Sequence, residues 1–93
     1  MSVVIVGGHG RMVRQYKDIC REYGCQAKVF TQMKSGLKGA LGNADLVVFF
    51  TSTISLKMLR YALSELRGES KIVRSHVSSG EALRGIMAAH AEV

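Results

Sequence analysis

Residues 3–9, Val3-Val4-Ile5-Val6-Gly7-Gly8-His9, decide the fold class of this chain. The first four form a β-branched run without polar alternation, which is typical of a central strand buried on both faces of a sheet. The two glycines then predict a tight turn from the strand into a helix. This stretch therefore predicts the first βα unit of a sheet with parallel strands.

The residues that follow repeat the pattern of strand and helix. From Met12 to Tyr23 the apolar residues have the spacing of one face of an amphipathic helix, which Gly24 is predicted to end. Further strands are predicted at 27–30, 45–50 and 71–74, and further helices at 35–41, at 55–66 and from Ser78 onward. The order βαβαβαβα over residues 1–93 predicts a single small α/β domain of the Rossmann-like or flavodoxin-like kind. We expect a four-stranded parallel sheet in the order 2-1-3-4, with helices on both faces.

Local signals place the later elements. Ser55 is predicted to N-cap the third helix, and the capping-box spacing from Ser78 to Glu81 predicts that the last helix begins there. The third helix is expected to face the core with an apolar stripe formed by Leu56, Leu59, Ala62, Leu63 and Leu66. The strand at 71–74 is short and flanked by charge, so it is expected at an edge of the sheet.

Composition limits the class of protein. The chain has 93 residues, 47% apolar content and no proline, which is typical of one compact domain rather than a disordered segment. No apolar run approaches the roughly 18 to 20 residues that span a bilayer. The first apolar run also lacks the charged segment of a signal peptide. We therefore predict a cytoplasmic protein with no membrane span.

The charge balance favours an anionic partner. Thirteen Lys and Arg against seven Asp and Glu give a net charge of +6, which attracts anions over long distances. The basic residues are scattered, however, without a run of them and without interleaved aromatic residues that would stack on bases. Nucleic acid is thus a disfavoured partner, while a solvated basic surface and a partner protein both remain open.

The cysteines do not indicate a disulfide framework. Cys20 and Cys25 are too few to staple the domain, and their spacing is not the two-residue gap of a redox pair or a zinc knuckle. We interpret them as buried thiols in a reducing compartment. A metal or thiol-redox role is the alternative.

Two histidines follow predicted strands in the same way. His9 follows the first strand through a double glycine, and His76 follows the last strand. Because parallel strands end at one edge of a sheet, both imidazoles are expected at the carboxyl edge, where open α/β sheets bind ligands. Their strands are expected two spacings apart, about 10 Å. No carboxylate or cysteine nearby in sequence completes a four-ligand zinc site, although a divalent metal remains open.

The loops around both histidines also contain elements of an anion site. Glycines and hydroxyls at helix N-termini can present backbone N–H groups to an anion, with an arginine beside each loop. The residues concerned are Gly8, Gly10, Arg11, Arg74, Ser78 and Ser79. The dinucleotide fingerprint is incomplete, because Val13 replaces its third glycine and no acidic residue follows the second strand. Glycines that only permit close packing, and serines that only cap a helix, are the alternatives.

Haem suits this pair of histidines better than a bare ion, because it brings its own ring ligands and takes protein nitrogens only at its axial positions. A domain of this size is poorly suited to enclosing a haem alone. Two copies in a homodimer could hold it between their sheet edges, with Arg11 or Arg74 pairing with the propionates. A catalytic set is missing from the sequence, which contains no G-x-S-x-G elbow and no paired carboxylates at this edge.

The chain resembles a family of small bacterial proteins of unknown function, some of which are called the domain related to iron. The stretches that carry the resemblance are 3–9, 12–20, 30–33 and 73–80. The resemblance implies a link to iron metabolism and, in one branch, haem binding by a homodimer with histidine axial ligands, a role that we transfer only to His9 and His76. The resulting expectation is a non-enzymatic homodimer that binds haem b or a metal. The alternative is an anion- or nucleotide-binding module that uses its glycine- and serine-rich helix N-termini.

Overall fold

The computed structural model describes residues 1–66 and 68–91, in which four strands alternate with four α-helices. The strands are β1 (Ser2–Gly7), β2 (Gln26–Phe30), β3 (Leu46–Phe50) and β4 (Lys71–Ser75). The helices are α1 (Val13–Glu22), α2 (Leu37–Gly42), α3 (Leu56–Glu65) and α4 (Gly80–His90). Short 3-10 turns at Gly10–Met12 and Thr51–Thr53 precede α1 and α3. Among these described helices, none is long and apolar enough to cross a membrane.

The strands form one parallel sheet in the order β2-β1-β3-β4, which confirms the predicted small α/β domain of the Rossmann-like or flavodoxin-like kind. β1 and β3 lie at its centre, where residues 3–6 and 46–50 are fully buried. Burial on both faces explains why these two runs contain no alternating polar residues. The register aligns Gly7, Phe50 and Ser75, the last residues of β1, β3 and β4. β4 lies at an edge, as predicted.

Helices cover both faces of the sheet, as the sequence predicts. One layer packs α1 and α4 against side chains that include Ile5 and Phe50. The other layer packs α2 and α3 against side chains that include Val6 and Phe49. Because successive residues of a strand point to opposite faces, each central strand contributes to both layers.

The N-cap of α4 differs from the prediction. Ser79, and not Ser78, is the N-cap, and its hydroxyl oxygen accepts a 3.1 Å hydrogen bond from the Ala82 amide. Ser78 is buried, and its carbonyl oxygen accepts a 2.6 Å hydrogen bond from the hydroxyl of Tyr16 in α1. The capping-box prediction for Ser78 was wrong, because residue spacing does not reveal this contact with a distant helix.

The apolar stripe of α3 differs from the prediction at Leu56, while the other four predicted residues, Leu59, Ala62, Leu63 and Leu66, pack into the core layer as expected. Ser55 caps the helix as expected, since its hydroxyl accepts a 3.1 Å bond from the Met58 amide. Met58 and Ala62 are the buried positions, whereas Leu56 is 60% exposed. Leu56 is the first residue of α3, just after the carboxyl end of β3. Helical spacing predicts a face, but it does not predict where the sheet beneath that face ends.

α1 ends at the glycine predicted to stop it. Gly24 has a φ of +72°, and its amide donates to the Arg21 carbonyl at 2.9 Å. The Cys25 amide donates to the Cys20 carbonyl at 3.0 Å. These two bonds form a Schellman motif, which brings Cys25 beside Cys20. Both cysteines are free and buried in the layer of α1 and α4, as interpreted from the sequence.

Candidate functional site at the carboxyl edge

The candidate site is the edge of the sheet at which the loops after β1, β3 and β4 begin. His9 lies two residues after the end of β1, and His76 directly follows the end of β4. Both histidines are exposed. β3 runs between their strands, so those strands are about 10 Å apart. The two imidazoles therefore belong to one edge, while their role as ligands stays a prediction.

The loop before α1 requires its first two glycines and is tied to the loop after β3. Gly7 and Gly8 have φ values of +103° and +86°. A Cβ on Gly8 would lie 2.6 Å from Cε2 of Tyr16. The Gly8 amide donates a 2.6 Å hydrogen bond to Oγ1 of Thr53, whose hydroxyl donates in turn to the Phe50 carbonyl at 2.9 Å. These contacts hold the residue before His9 in place.

The loop before α4 is tied to its neighbours in a similar way. The Thr51 hydroxyl donates to the Ser75 carbonyl at 3.4 Å, and the Ser75 hydroxyl donates to the Val77 carbonyl at 2.7 Å. The Tyr16 hydroxyl holds the Ser78 carbonyl. His76 thus lies on a short segment whose flanking residues are fixed by hydrogen bonds.

Tyr16 and Thr53 were not assigned a role from the sequence. Tyr16 is fully buried, and its ring centroid lies 5.3 Å from that of Phe50. Its hydroxyl links α1 to the loop of His76, while its ring sets the space beside Gly8. The sequence showed Tyr16 only as part of an apolar stripe and Thr53 only as part of a hydroxyl cluster after β3. A tyrosine in a buried stripe does indicate a contact of this kind, because its hydroxyl needs a hydrogen-bond partner. The signal is weak, because it does not say which residue that partner is.

We define the carboxyl rim as residues 8–12, 31–36, 51–57 and 74–79, which are the loops at this edge with their immediate flanks. Its charged side chains are Arg11, Lys34, Lys57 and Arg74, and one carboxylate, that of Glu81 in the first turn of α4, lies directly beside it. α1, α3 and α4 begin at the rim and direct the positive ends of their dipoles toward it. The rim is therefore a cationic pole of the molecule.

Four carboxylates lie toward the amino ends of the strands, where the cations Arg21 and Lys71 lie as well. Glu22 and Glu65 end α1 and α3, while Asp45 and Glu69 precede β3 and β4. Asp45 is used structurally, because its Oδ2 accepts a 2.7 Å hydrogen bond from the Ser2 amide. The excess of cations at the rim was not evident from the scattered positions of Lys and Arg along the chain.

The described residues offer no complete metal site of their own. In the ranges 1–66 and 68–91, no group of three or more His, Cys, Asp or Glu could hold a metal ion. Cys20 and Cys25 lie at the end of α1 away from the rim. Burial, and then the neighbouring Cys25, raise the pKa of the Cys20 thiol to about 12. Cys20 is therefore a protonated, unreactive core residue at neutral pH.

The anion alternative has fewer free donors than the sequence suggested. The Gly8 amide already donates to Thr53, and the Ala82 amide already donates to the Ser79 oxygen. Gly10 and Arg11 are exposed on the same loop. Three open cavities of about 450, 480 and 400 Å³ lie away from the rim, near the C-terminal ends of α1 and α2 and the loop before β4. A ligand at the rim would thus contact a surface, not one of these cavities.

Comparison with known proteins assigns the chain to a family but gives no activity. No curated protein and no solved structure matches it. Residues 2–90 match the family described as "Uncharacterized protein conserved in bacteria (DUF2325)". Because this match covers nearly the whole chain, the chain belongs to that family.

Proposed function

We propose that this protein is a non-enzymatic, haem-binding homodimer in which His9 and His76 at the carboxyl rim are the axial ligands. Haem supplies an iron atom whose axial positions take imidazole nitrogens. The observation that carries the proposal is the pair of exposed imidazoles at one edge of the sheet. A role as a carrier or sensor in iron metabolism rests on the resemblance to the domain related to iron.

The surface around the two imidazoles fits the chemistry of haem. Haem has apolar ring faces and two anionic propionates. The rim offers exposed apolar side chains at Leu56 and Val77 and exposed cations at Arg11 and Arg74. Four cations against the one neighbouring carboxylate, that of Glu81, favour the propionates at the rim. Arg11 and Arg74 would hold the propionates, and His9 and His76 the iron.

The direction of the strands supports the proposed homodimer. Axial ligands bind an iron from opposite sides of the haem ring, whereas His9 and His76 of one chain lie at one pole of the molecule. The second ligand is therefore expected from a second copy related by two-fold symmetry. Two facing rims bring together four cations from each copy, which repel one another. We expect the ligand-free chain to be monomeric and the dimer to need an anionic ligand between the rims.

Haem titration followed by absorption spectroscopy tests the ligands. The wild-type chain should give a low-spin spectrum typical of bis-histidine ligation. His9→Ala and His76→Ala should each abolish that spectrum, because each removes one axial nitrogen. His90→Ala is the matched control, since His90 is the last residue of α4 and α4 begins at the rim. A wild-type spectrum in both the His9 and the His76 variants would refute the assignment.

The mass in solution tests the dimer. Light scattering should give the mass of one chain without haem and of two chains with haem. A haem-loaded monomer with bis-histidine spectra would contradict the proposed arrangement.

Arg11→Ala should weaken haem binding only modestly, because an exposed ion pair contributes up to about 1 kcal/mol.

A further inference from the structure

The carboxyl rim carries most of the large apolar side chains that the fold leaves in solvent. Met33, Leu56 and Val77 are 46%, 60% and 57% exposed. Within the described part of the chain, the fourth exposed large apolar residue is Ile72, at 46% in β4. Isolated exposed apolar residues are ordinary. Three along one edge of a domain this small are a concentration that the packing of the core does not explain.

These three side chains follow three different strands, and Leu56 is the first residue of α3. Met33 follows β2, Leu56 follows β3 and Val77 follows β4. In the strand order β2-β1-β3-β4 the outer two strands are three spacings apart, about 14 Å. The apolar side chains are therefore spread along the whole edge of the sheet instead of lining one pocket.

Each of these segments also carries a cationic or ionisable residue beside the apolar one. Lys34 follows Met33 and Lys57 follows Leu56, both exposed. Val77 follows His76, and Arg74 lies three residues before it. The rim thus combines exposed apolar side chains with four cations, and Glu81 is the one carboxylate beside it. This combination is typical of surfaces that insert into the headgroup region of an anionic membrane.

We propose that the carboxyl rim docks this protein peripherally on an anionic lipid bilayer. Met33, Leu56 and Val77 enter the boundary between headgroups and acyl chains, and Arg11, Lys34, Lys57 and Arg74 pair with lipid phosphates. Each cation near an anionic surface strengthens partitioning about fivefold. The amino end, which holds Glu22, Asp45, Glu65 and Glu69, faces away from the membrane.

The other kinds of occupant match this surface less well. A second copy alone would bring like charges together, four cations from each rim. Nucleic acid would be expected to stack on aromatic side chains, and the rim contains no Phe, Tyr or Trp. A protein partner would favour one central apolar cluster. Aliphatic side chains on three separate segments of the rim suit a bilayer, into which each side chain can insert independently.

Vesicle co-sedimentation of the ligand-free chain tests this proposal. We expect binding to vesicles of phosphatidylglycerol and phosphatidylcholine in equal parts, and at least tenfold weaker binding to phosphatidylcholine alone. Added salt should weaken the binding. Leu56→Ser with Val77→Ser should lower the partition coefficient by roughly tenfold or more, because each change removes apolar area from the inserted surface.

Matched controls separate docking from nonspecific attraction. Ile72→Ser removes an apolar residue as exposed as Met33 but outside the rim, and should leave binding unchanged. Lys34→Gln with Lys57→Gln should weaken binding, whereas Lys28→Gln in β2 should have a smaller effect. Circular dichroism checks that each variant is folded.

Absence of vesicle binding by the folded wild type, or equal losses in rim and control variants, would overturn the proposal. Haem titration is a separate measurement on the same variants, so failure of either proposal is recognised independently.

Discussion

At the scale of single residues, Tyr16 connects the core to the candidate site. Its ring packs on Phe50 and closes the space beside Gly8, and its hydroxyl holds the carbonyl of Ser78. A single buried side chain therefore positions both of the loops that contain histidines. Gly8 is required for this arrangement, because any Cβ there would overlap the tyrosine ring.

Alanine substitutions should distinguish the glycines of the first loop. Gly8→Ala places a Cβ 2.6 Å from the Tyr16 ring at a φ of +86°, and should destabilise the fold by about 2–4 kcal/mol. Gly10→Ala meets nothing within 4 Å and should change stability by less than about 0.5 kcal/mol. Urea denaturation gives both values. Similar losses in the two variants would show that the loop is not packed as described.

The buried thiol of Cys20 predicts a dependence of stability on alkaline pH. Its pKa is about 12 in the folded chain, against an ordinary value of 9.0. Above the ordinary value the unfolded chain loses the proton while the folded chain keeps it, so the free energy of unfolding falls as pH rises toward the folded pKa. The stability advantage of wild type over Cys20→Ala should shrink over this range. Denaturation of both proteins at a series of pH values measures it, and a constant difference would contradict the assignment.

At the scale of secondary-structure elements, the loops at the rim are stabilised by neighbouring elements as well as by their own capping residues. The loop before α1 bonds to the loop after β3, which in turn bonds to the end of β4. α4 begins where Tyr16 of α1 holds the preceding carbonyl. An exposed ion pair between Arg84 and Glu22 adds a contact between α4 and α1.

The two serines before α4 should differ in their contribution to stability. Ser79→Ala removes the oxygen that accepts from the Ala82 amide and should destabilise the protein by about 1 kcal/mol. Ser78→Ala keeps the backbone carbonyl that Tyr16 uses, so it should destabilise the protein less. Thermal unfolding of the pair measures the difference. A larger loss in Ser78→Ala would support the capping-box arrangement instead.

At the scale of the whole molecule, the two helical layers share one sheet. β1 and β3 contribute side chains to both layers, so loss of packing in one layer exposes one face of strands whose other face forms the core of the second layer. The shared sheet also brings four cations together at the carboxyl ends of its strands, whereas the amino ends hold carboxylates together with the cations Arg21 and Lys71. Both proposals depend on the excess of cations at the carboxyl ends.

A substitution that creates a cavity in one helical layer should make a cysteine in the other layer more accessible to alkylation. Met58 is 3% exposed in the layer of α2 and α3, and Met58→Ala should destabilise the protein by about 2–5 kcal/mol. Because both layers unfold together, alkylation of Cys20 in the opposite layer should accelerate in proportion to the unfolding equilibrium constant. Mass spectrometry after timed alkylation measures this rate. Unchanged protection of Cys20 in destabilised Met58→Ala would indicate that the layers unfold separately.

The sequence was sufficient to predict the strand order and the edge at which His9 and His76 lie. Both depend on patterns read over a few neighbouring residues: buried runs, helical spacing and glycine turns. A parallel sheet then places the ends of all its strands together. The sequence did not reveal which serine caps α4, because that choice depends on a hydroxyl 62 residues away in the chain.

Local patterns also could not show that Leu56 is exposed or that the four cations of the rim lie together at one pole of the molecule. The sequence by itself determined the elements and their order, because hydrophobic periodicity and turn residues act locally. Only the tertiary structure decided how Tyr16 and Thr53 position the loops and what surface the rim presents. Those properties arise from contacts between distant segments, whose distances are set by the packing of helices on the sheet.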